Sequence, residues 1–346
     1  MTNPYRGLPD HQFWRRAVSG VEHHLLNPIV KPKFLISKDD KVATAGSCFA
    51  QHISRRLQGI GFNYFVTEDG AGLSDAERLR GNFGVFSARY GNLYTTAQLL
   101  QLFQEAFDGR VPSVGVFRRP DGRYVDALRQ QITSDGYGRP EEVQAARETH
   151  LDAVSRMFLE CDVFVFTLGL TEAWRSKSDG TVLPIAPGVV AGSFDESVYE
   201  FVNFSVAEVE ADLEAFISAL RKINPTVRIL LTVSPVPLIA TYENQHVLVS
   251  TTYSKSVLRV VADQVMRRHD FVDYFPSYEI ITGSYAGGLY YEDDYREVNH
   301  IGVAHAMRCF LENYTEGSRR KAVVSASAIS VPSSVVCDEE AIAAMR

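Results

Sequence analysis

Apolar residues in this chain follow two alternating rhythms. Short continuous runs rich in β-branched and aromatic residues, "KVATA" at 41–45, "DVFVFTL" at 162–168, "VRILLTV" at 227–233 and "FVDYF" at 271–275, have the length and composition of strands. The middle two are apolar enough to be covered on both faces. Between the runs, apolar positions recur every three or four residues. Phe49, Ile53, Leu57 and Ile60 predict a helix over 48–58, and Val143, Ala146, Leu151, Val154, Met157 and Phe158 another over 141–159. Val206, Val209, Leu213, Phe216, Ile217 and Leu220 predict a third, with Ser205 as N-cap and Asn224-Pro225 as its stop. Residues 254–268 and 302–313 complete the helical set. Such alternation predicts an α/β fold, a three-layer α/β/α sandwich with a mostly parallel sheet in which the four runs are neighbours.

The flanks break this rhythm. Residues 1–40 read as an irregular N-terminal arm whose Phe13, Trp14 and Phe34 pack on the main domain, 41–315. Residues 316–346, rich in Ala, Ser and Val without a sustained period, read as a low-complexity tail, disordered and dispensable for the core.

Composition narrows the function by exclusion. With a net charge of −7 over 346 residues, the chain lacks the basic footprint of a nucleic-acid binder. No apolar run approaches the roughly 20 residues that a membrane helix needs, so no membrane insertion is expected. The opening "MTNPYRGLPDHQFW" lacks the charged and apolar regions of a secretory signal, which points to a cytoplasmic protein. Cys48, Cys161, Cys309 and Cys337 are too scattered for a disulfide framework or a zinc cluster. No phosphate-binding glycine motif follows a strand, and "GAGLSD" at 70–75 fits none. Neither a metal nor a dinucleotide is expected.

Ligands of open parallel sheets bind beyond the carboxyl ends of the strands. Four unusual clusters fall there: Gly46-Ser47-Cys48, Gly169-Leu170-Thr171-Glu172, Ser234-Pro235-Val236-Pro237, and the segment from Pro276 to His300. The first supports two readings. In one, Gly46 permits a tight turn, Ser47 caps the helix and Cys48 is a small buried apolar residue. In the other, the unpaired amides and dipole of a helix N-terminus activate Cys48 as a nucleophile and stabilise an oxyanion. His52 and His246 are secondary base candidates. Glu292, Asp293 and Asp294 read as a solvated acidic loop.

"AGSCFA" is the signature of the GSCFA family, and "NFGVFSARYGNLYTTAQLLQLF", "FTLGLTEAW", "LTVSPVPL" and "DYFPSYEI" resemble the same family, over roughly residues 1–313. That family resembles the SGNH (GDSL-like) esterases and acyltransferases. The resemblance implies an SGNH-hydrolase-like, flavodoxin-like fold and acyl-transfer chemistry. On the SGNH pattern Gly46 falls on the motif glycine, Ser47 on the aspartate and Cys48 on the serine nucleophile. Asn82-Phe83-Gly84 resembles the second block, whose glycine amide serves the oxyanion hole. Gly169, Thr171 and Glu172 occupy the third, with Thr171 in place of an asparagine. The last block departs most. Asp294 fits the orienting acid, but Glu297 stands where the base histidine belongs and His300 lies three residues further on. The base is then His300 or Glu297, or the site is not a hydrolase. The resemblance implies a small-molecule or glycan ester as substrate and no cofactor, with acyl-coenzyme A as the donor in the case of a transferase. The alternative is a non-catalytic glycan- or ligand-binding module on a degenerate SGNH scaffold. Rim aromatics such as Trp174, Tyr242 and Tyr291 suit either.

Overall fold

The structure, a computed structural model, describes residues 3–316 and 338–343. After an arm of short turns the chain forms β1 (Val42–Gly46) and α1 (Ala50–Gly59). A long excursion follows, with α2 (Asp75–Arg80), α3 (Thr96–Phe107), the hairpin of β2 (Val116–Arg118) and β3 (Tyr124–Asp126), and α4 (Pro140–Glu160). β4 (Val163–Leu168) returns to the sheet. A second excursion adds β5 (Glu172–Ser176), β6 (Val182–Leu183) and β7 (Tyr199–Asn203) before α5 (Val206–Ile223). β8 (Arg228–Val233), α6 (Val247–Arg268), β9 (Val272–Tyr274), α7 (Ser277–Thr282) and α8 (His300–Tyr314) close the domain, and α9 (Glu340–Ala343) lies near the C-terminus.

The four expected runs are neighbours in one parallel sheet of order β1-β4-β8-β9. Gly46 pairs with Thr167, Leu168 with Val233, and Leu231 with Tyr274, so the carboxyl ends of the strands line up at one edge. Period-two alternation splits the strand residues between two cores. Ala43, Ala45, Phe164, Phe166, Ile229 and Leu231 pack against α3, α4, α5 and α6. Val42, Val163, Val165 and Leu230 pack against α1, α7 and α8. A parallel sheet covered by helices on both faces is the result. Ser205 caps α5 in a reciprocal capping box with Glu208. α6 begins at Val247, earlier than its apolar period suggests, because the His246 ring accepts from the Leu248 amide.

Two small antiparallel sheets, β2–β3 and β6-β5-β7, were not expected from the sequence. Their strands are short and mostly half-buried, so they carry little periodic signal. In the arm, Phe34 packs on the second core, whereas Trp14 is exposed instead of packing on the domain. The Lys33 amide donates to Asp273 and the Ile36 amide to the Tyr314 carbonyl, which fastens the arm to β9 and α8. Of the tail, residues 317–337 and 344–346 lie outside the described residues; Asp338 and Glu339 are buried. Among the described residues no helix is long and apolar enough to cross a membrane.

The first excursion is tied to α4 by buried charges. Arg129 Nε donates to Asp126 at 2.6 Å, Arg147 bridges Asp126 and Glu105, and Arg89 pairs with Glu68 at 3.2 Å. Burial pushes the Asp126 carboxyl up, but Arg147 and Arg129 outweigh it and hold it at about 2. Burial, helped by Arg129, holds His150 down at about 3, so the neutral ring donates its Nδ1 proton to Glu68 at 2.8 Å. Both groups bind fewer protons folded than unfolded. Their contribution is therefore complete above about pH 6.5 and is lost as pH falls through the folded values. The urea midpoint should fall steadily from about pH 7 to about pH 4; a flat profile over that range would contradict the assignment. Arg129→Met, which removes the closer of the two guanidinium partners of buried Asp126, should lower the unfolding free energy by about 3 kcal/mol in denaturant titrations.

Candidate functional site

The strand-to-helix turn is set by a glycine that nothing else can replace. Gly46 ends β1 at φ +127°, and a Cβ there would lie 2.3 Å from the Thr167 carbonyl oxygen. The ladder runs one residue further, with the Ser47 amide donating to Thr167 O at 3.1 Å. The chain then enters α1 through tight turns, Ala50 N to Ser47 O at 2.9 Å and Gln51 N to Cys48 O at 3.1 Å. Those turns use main-chain acceptors, so Ser47 does not act as a side-chain cap, contrary to the sequence expectation; Phe49 holds the cap position without a side-chain bond. Ser47 is 2% exposed and Cys48 7%. The Ser47 hydroxyl has no hydrogen-bond partner among the described residues. Buried polar atoms rarely stay unpaired without a reason.

Two neighbouring segments frame the turn. Leu93 N donates to Gly46 O at 2.9 Å, and the amides of Gly169 and Leu170 both donate to Tyr94 O at 3.0 Å. Gly169 is close-packed here, since a Cβ would come within 3.1 Å of Ser47 Cβ. Its carbonyl accepts from Lys255 Nζ at 2.7 Å.

Lys255 is the residue that sequence reasoning missed. It stands on α6, 1% exposed, beside Ser254, whose hydroxyl accepts from the Thr171 amide at 3.0 Å. Burial draws its pKa down to about 8, while Glu339 and Cys48 favour its charged form and Arg296 opposes it. Amine, thiol, carboxylate and guanidinium thus share one electrostatic neighbourhood. A signal was available: 255, 258 and 262 share a helix face, and the other two are Leu and Ala. A lysine in an apolar stripe is a candidate for a shifted pKa.

Two carboxylates from far along the chain, Asp338 and Glu339, are buried close to these groups. Asp338 Oδ2 accepts from Asn92 Nδ2 at 2.9 Å, its carbonyl from Gln131 Nε2 at 3.2 Å, and its amide donates to Tyr94 OH at 3.2 Å. Glu339 pairs with Arg296 at 2.9 Å, with both side chains nearly buried. Asp338 is held here by neutral hydrogen-bond partners and Glu339 by an ion pair.

The remaining sequence candidates spread around this centre. Thr171 is buried, but its single hydroxyl proton goes to Asn203 Oδ1 at 2.7 Å. Glu172, pushed up by burial, accepts from Thr241 Oγ1 and the Tyr242 amide, and so fastens that loop. Asn82 donates to the carbonyls of Gln131 and Ile132 and lines a cavity of about 770 Å³ with Arg80, Arg119 and Gln131. Gly84, two residues on, has φ +79° and open space around its missing Cβ. Asp294 Oδ1 accepts from the amides of Arg296 and Glu297, closing an exposed turn. Glu297 is exposed, as is His300, the first residue of α8. His52, half-buried on α1, is held at about 4 by burial and Arg55 and is neutral at physiological pH. His246 is spent on the α6 cap. The block around Asp294 therefore meets Lys255 through Arg296. Among the described residues no group of three or more His, Cys, Asp or Glu is placed to hold a metal ion.

The arrangement defines an α/β protein with a thiol, an amine and a guanidinium at the carboxyl edge of a parallel sheet. Residues 41–310 match the model of the GSCFA family, and the chain belongs to that family. No curated protein matches it.

A lysine whose pKa lies well below its ordinary value lowers stability at neutral pH, here by about 3 kcal/mol. That penalty is complete below the folded pKa of about 8 and vanishes as pH rises past the unfolded one. Lys255→Met removes it at the loss of one hydrogen bond, about 1 kcal/mol. Its unfolding free energy should rise by about 1–2 kcal/mol at neutral pH. A decrease in the denaturation midpoint would show that the ammonium is fully compensated by its neighbours.

Proposed function

We propose that this protein catalyses acyl transfer from an ester, by hydrolysis or to an acceptor hydroxyl, with Cys48 as nucleophile and Lys255 as general base. The observation that carries this reading is the buried Lys255 beside Cys48, with its amine near neutrality in proton affinity. A base titrating near the working pH is matched to proton transfer, and roughly a tenth of it is neutral at pH 7. In that form Nζ keeps one N–H on Gly169 O and turns its lone pair to the thiol. The resemblance of Gly46-Ser47-Cys48 to the SGNH nucleophile turn supports the same assignment. Lysine takes the place of the imidazole that the last block lacks.

The steps balance without a cofactor. Lys255 takes the Cys48 proton, and the thiolate attacks the acyl carbon. The oxyanion is met by the Asn92 amide group and the amino end of α1. Collapse releases the alcohol, protonated by Lys255, and leaves a thioester on Cys48. Water or a second hydroxyl, deprotonated by Lys255, then attacks the thioester, and the thiolate recovers the proton. A carbohydrate ester suits the surroundings. Trp174, Phe194, Phe201 and Tyr242 form an edge-to-face cluster beside Glu172, with Phe194 and Tyr242 exposed for stacking on a sugar ring. As a transferase it would draw on an acyl donor of the acyl-coenzyme A class.

The test is intact-mass acylation by an activated acyl ester. Wild type should gain one acyl group, Cys48→Ala none, and Ser47→Ala should still label. The acylation rate should climb with pH through about 8 and lose that dependence in Lys255→Met. Slowing by His300→Ala or Glu297→Gln, with Lys255→Met unaffected, would return the base role to the last block. Absence of acylation with every donor would leave a binding module.

A further inference from the structure

The cavity of about 770 Å³ beside Asn82 carries a lopsided set of polar groups. Three side-chain amides line it, and each spends its NH2 on main-chain carbonyls. Asn82 Nδ2 donates to the carbonyls of Gln131 and Ile132, Gln130 Nε2 to Ala127 O at 3.3 Å, and Gln131 Nε2 to Asp338 O at 3.2 Å. A carbonyl oxygen only accepts, so these contacts fix which way each amide faces. The three amide oxygens accept no hydrogen bond from the described residues. Gln130 is 3% exposed, and a buried acceptor left unpaired costs about 1–3 kcal/mol. The volume lies within the roughly 300–1,000 Å³ typical of small-ligand sites.

The charged lining sets the class of ligand. Arg119 Nη2 lies 2.7 Å from Asp121 and its Nη1 donates to Ser134 O at 2.8 Å, while Arg80 meets Asp135 through Nε at 3.2 Å. Both cations are already neutralised, so an anion gains little from them and would face the amide oxygens. A metal ion would face the two guanidiniums. The lining includes no aromatic side chain on which a nucleobase could stack. What remains is a neutral ligand that brings donors to the amide oxygens and acceptors to the guanidinium N–H groups. A hydroxyl is both. Leu79, Pro120 and Val190 add apolar wall suited to the C–H faces of a sugar ring. We propose that this cavity binds a neutral saccharide, whose hydroxyls donate to Asn82 Oδ1, Gln130 Oε1 and Gln131 Oε1 and accept from Arg80 and Arg119. The site goes beyond the acyl-transfer reading and does not rest on it, since neither Cys48 nor Lys255 lines the cavity.

The experiment applies the fluorescently labelled full chain to an array of neutral and acidic oligosaccharides. Wild type should retain neutral members, and calorimetry then measures the affinity for the best of them. Gln130→Leu removes the buried unpaired acceptor, so it should weaken binding about tenfold while the denaturation midpoint stays at the wild-type value. Ser134 is exposed, and its hydroxyl bonds only to the neighbouring Asp135, so Ser134→Trp puts a bulky ring on the cavity wall without removing an amide oxygen. That variant, checked for a wild-type denaturation midpoint, should lose binding. Retention of acidic members alone, or of none, would overturn the neutral-saccharide class. Full binding by Ser134→Trp would place the sugar elsewhere and overturn the cavity as its site. Wild-type affinity in Gln130→Leu would overturn the part given to the amide oxygens. Array binding requires no turnover, so a chain that binds sugar without acylating refutes the acyl-transfer reading alone, and one that acylates without binding sugar refutes the cavity alone.

Discussion

β1 approaches β4 so closely at its last residue that only hydrogen fits between Gly46 Cα and the Thr167 carbonyl. That contact fixes where the sheet ends and the helix begins. Because the ladder continues through the Ser47 amide, Ser47 turns inward, and Cys48 begins the turn into α1 rather than extending the strand. Leu93 and Gly169 are in turn hydrogen-bonded around the same carboxyl edge. Asn92, Tyr94 and Lys255 therefore take their positions from one close strand contact.

Buried charge serves two different ends in this molecule. Glu68, Asp126, Glu105, Arg89, Arg129 and Arg147 neutralise one another, and carry the first excursion onto α4. Each acid there has a guanidinium partner, and the group is a structural clamp. Around Cys48 the balance is different. Lys255 is held at a pKa where it readily gains and loses a proton, and Arg296 pairs with Glu339 from a distant part of the chain. The clamp resists change in protonation; the cleft is poised for it.

What the sequence disclosed and what it hid follow from the same physics. The runs at 162–168 and 227–233 are buried on both faces, so continuous apolar stretches marked β4 and β8 to within a residue. β5 and β7 lie in a small half-buried sheet whose residues satisfy no strict alternation, and they stayed hidden. At the site, the Gly-Ser-Cys turn was legible because a glycine between a strand and a helix has few other uses. Lys255 was not, since lysines on helices face water by default and only its neighbours reveal the apolar stripe. Asn92 lay inside a quoted motif but was passed over for Asn82, whose φ of +52° serves a turn. The docking of Asp338 and Glu339 left no periodic trace, because ion pairs need no repeating pattern.

The cleft draws on residues from Gly46 to Glu339, nearly the whole length of the chain, and this gives the protein an order of assembly in time. A ribosome makes the sheet strands, α6 and Arg296 before it makes residues 338–339, at about 5–20 residues per second. Folding can therefore bring Cys48, Lys255 and Arg296 together while their last neighbours are still being synthesised. The pairing of Arg296 with Glu339 is therefore among the last contacts that the growing chain can make.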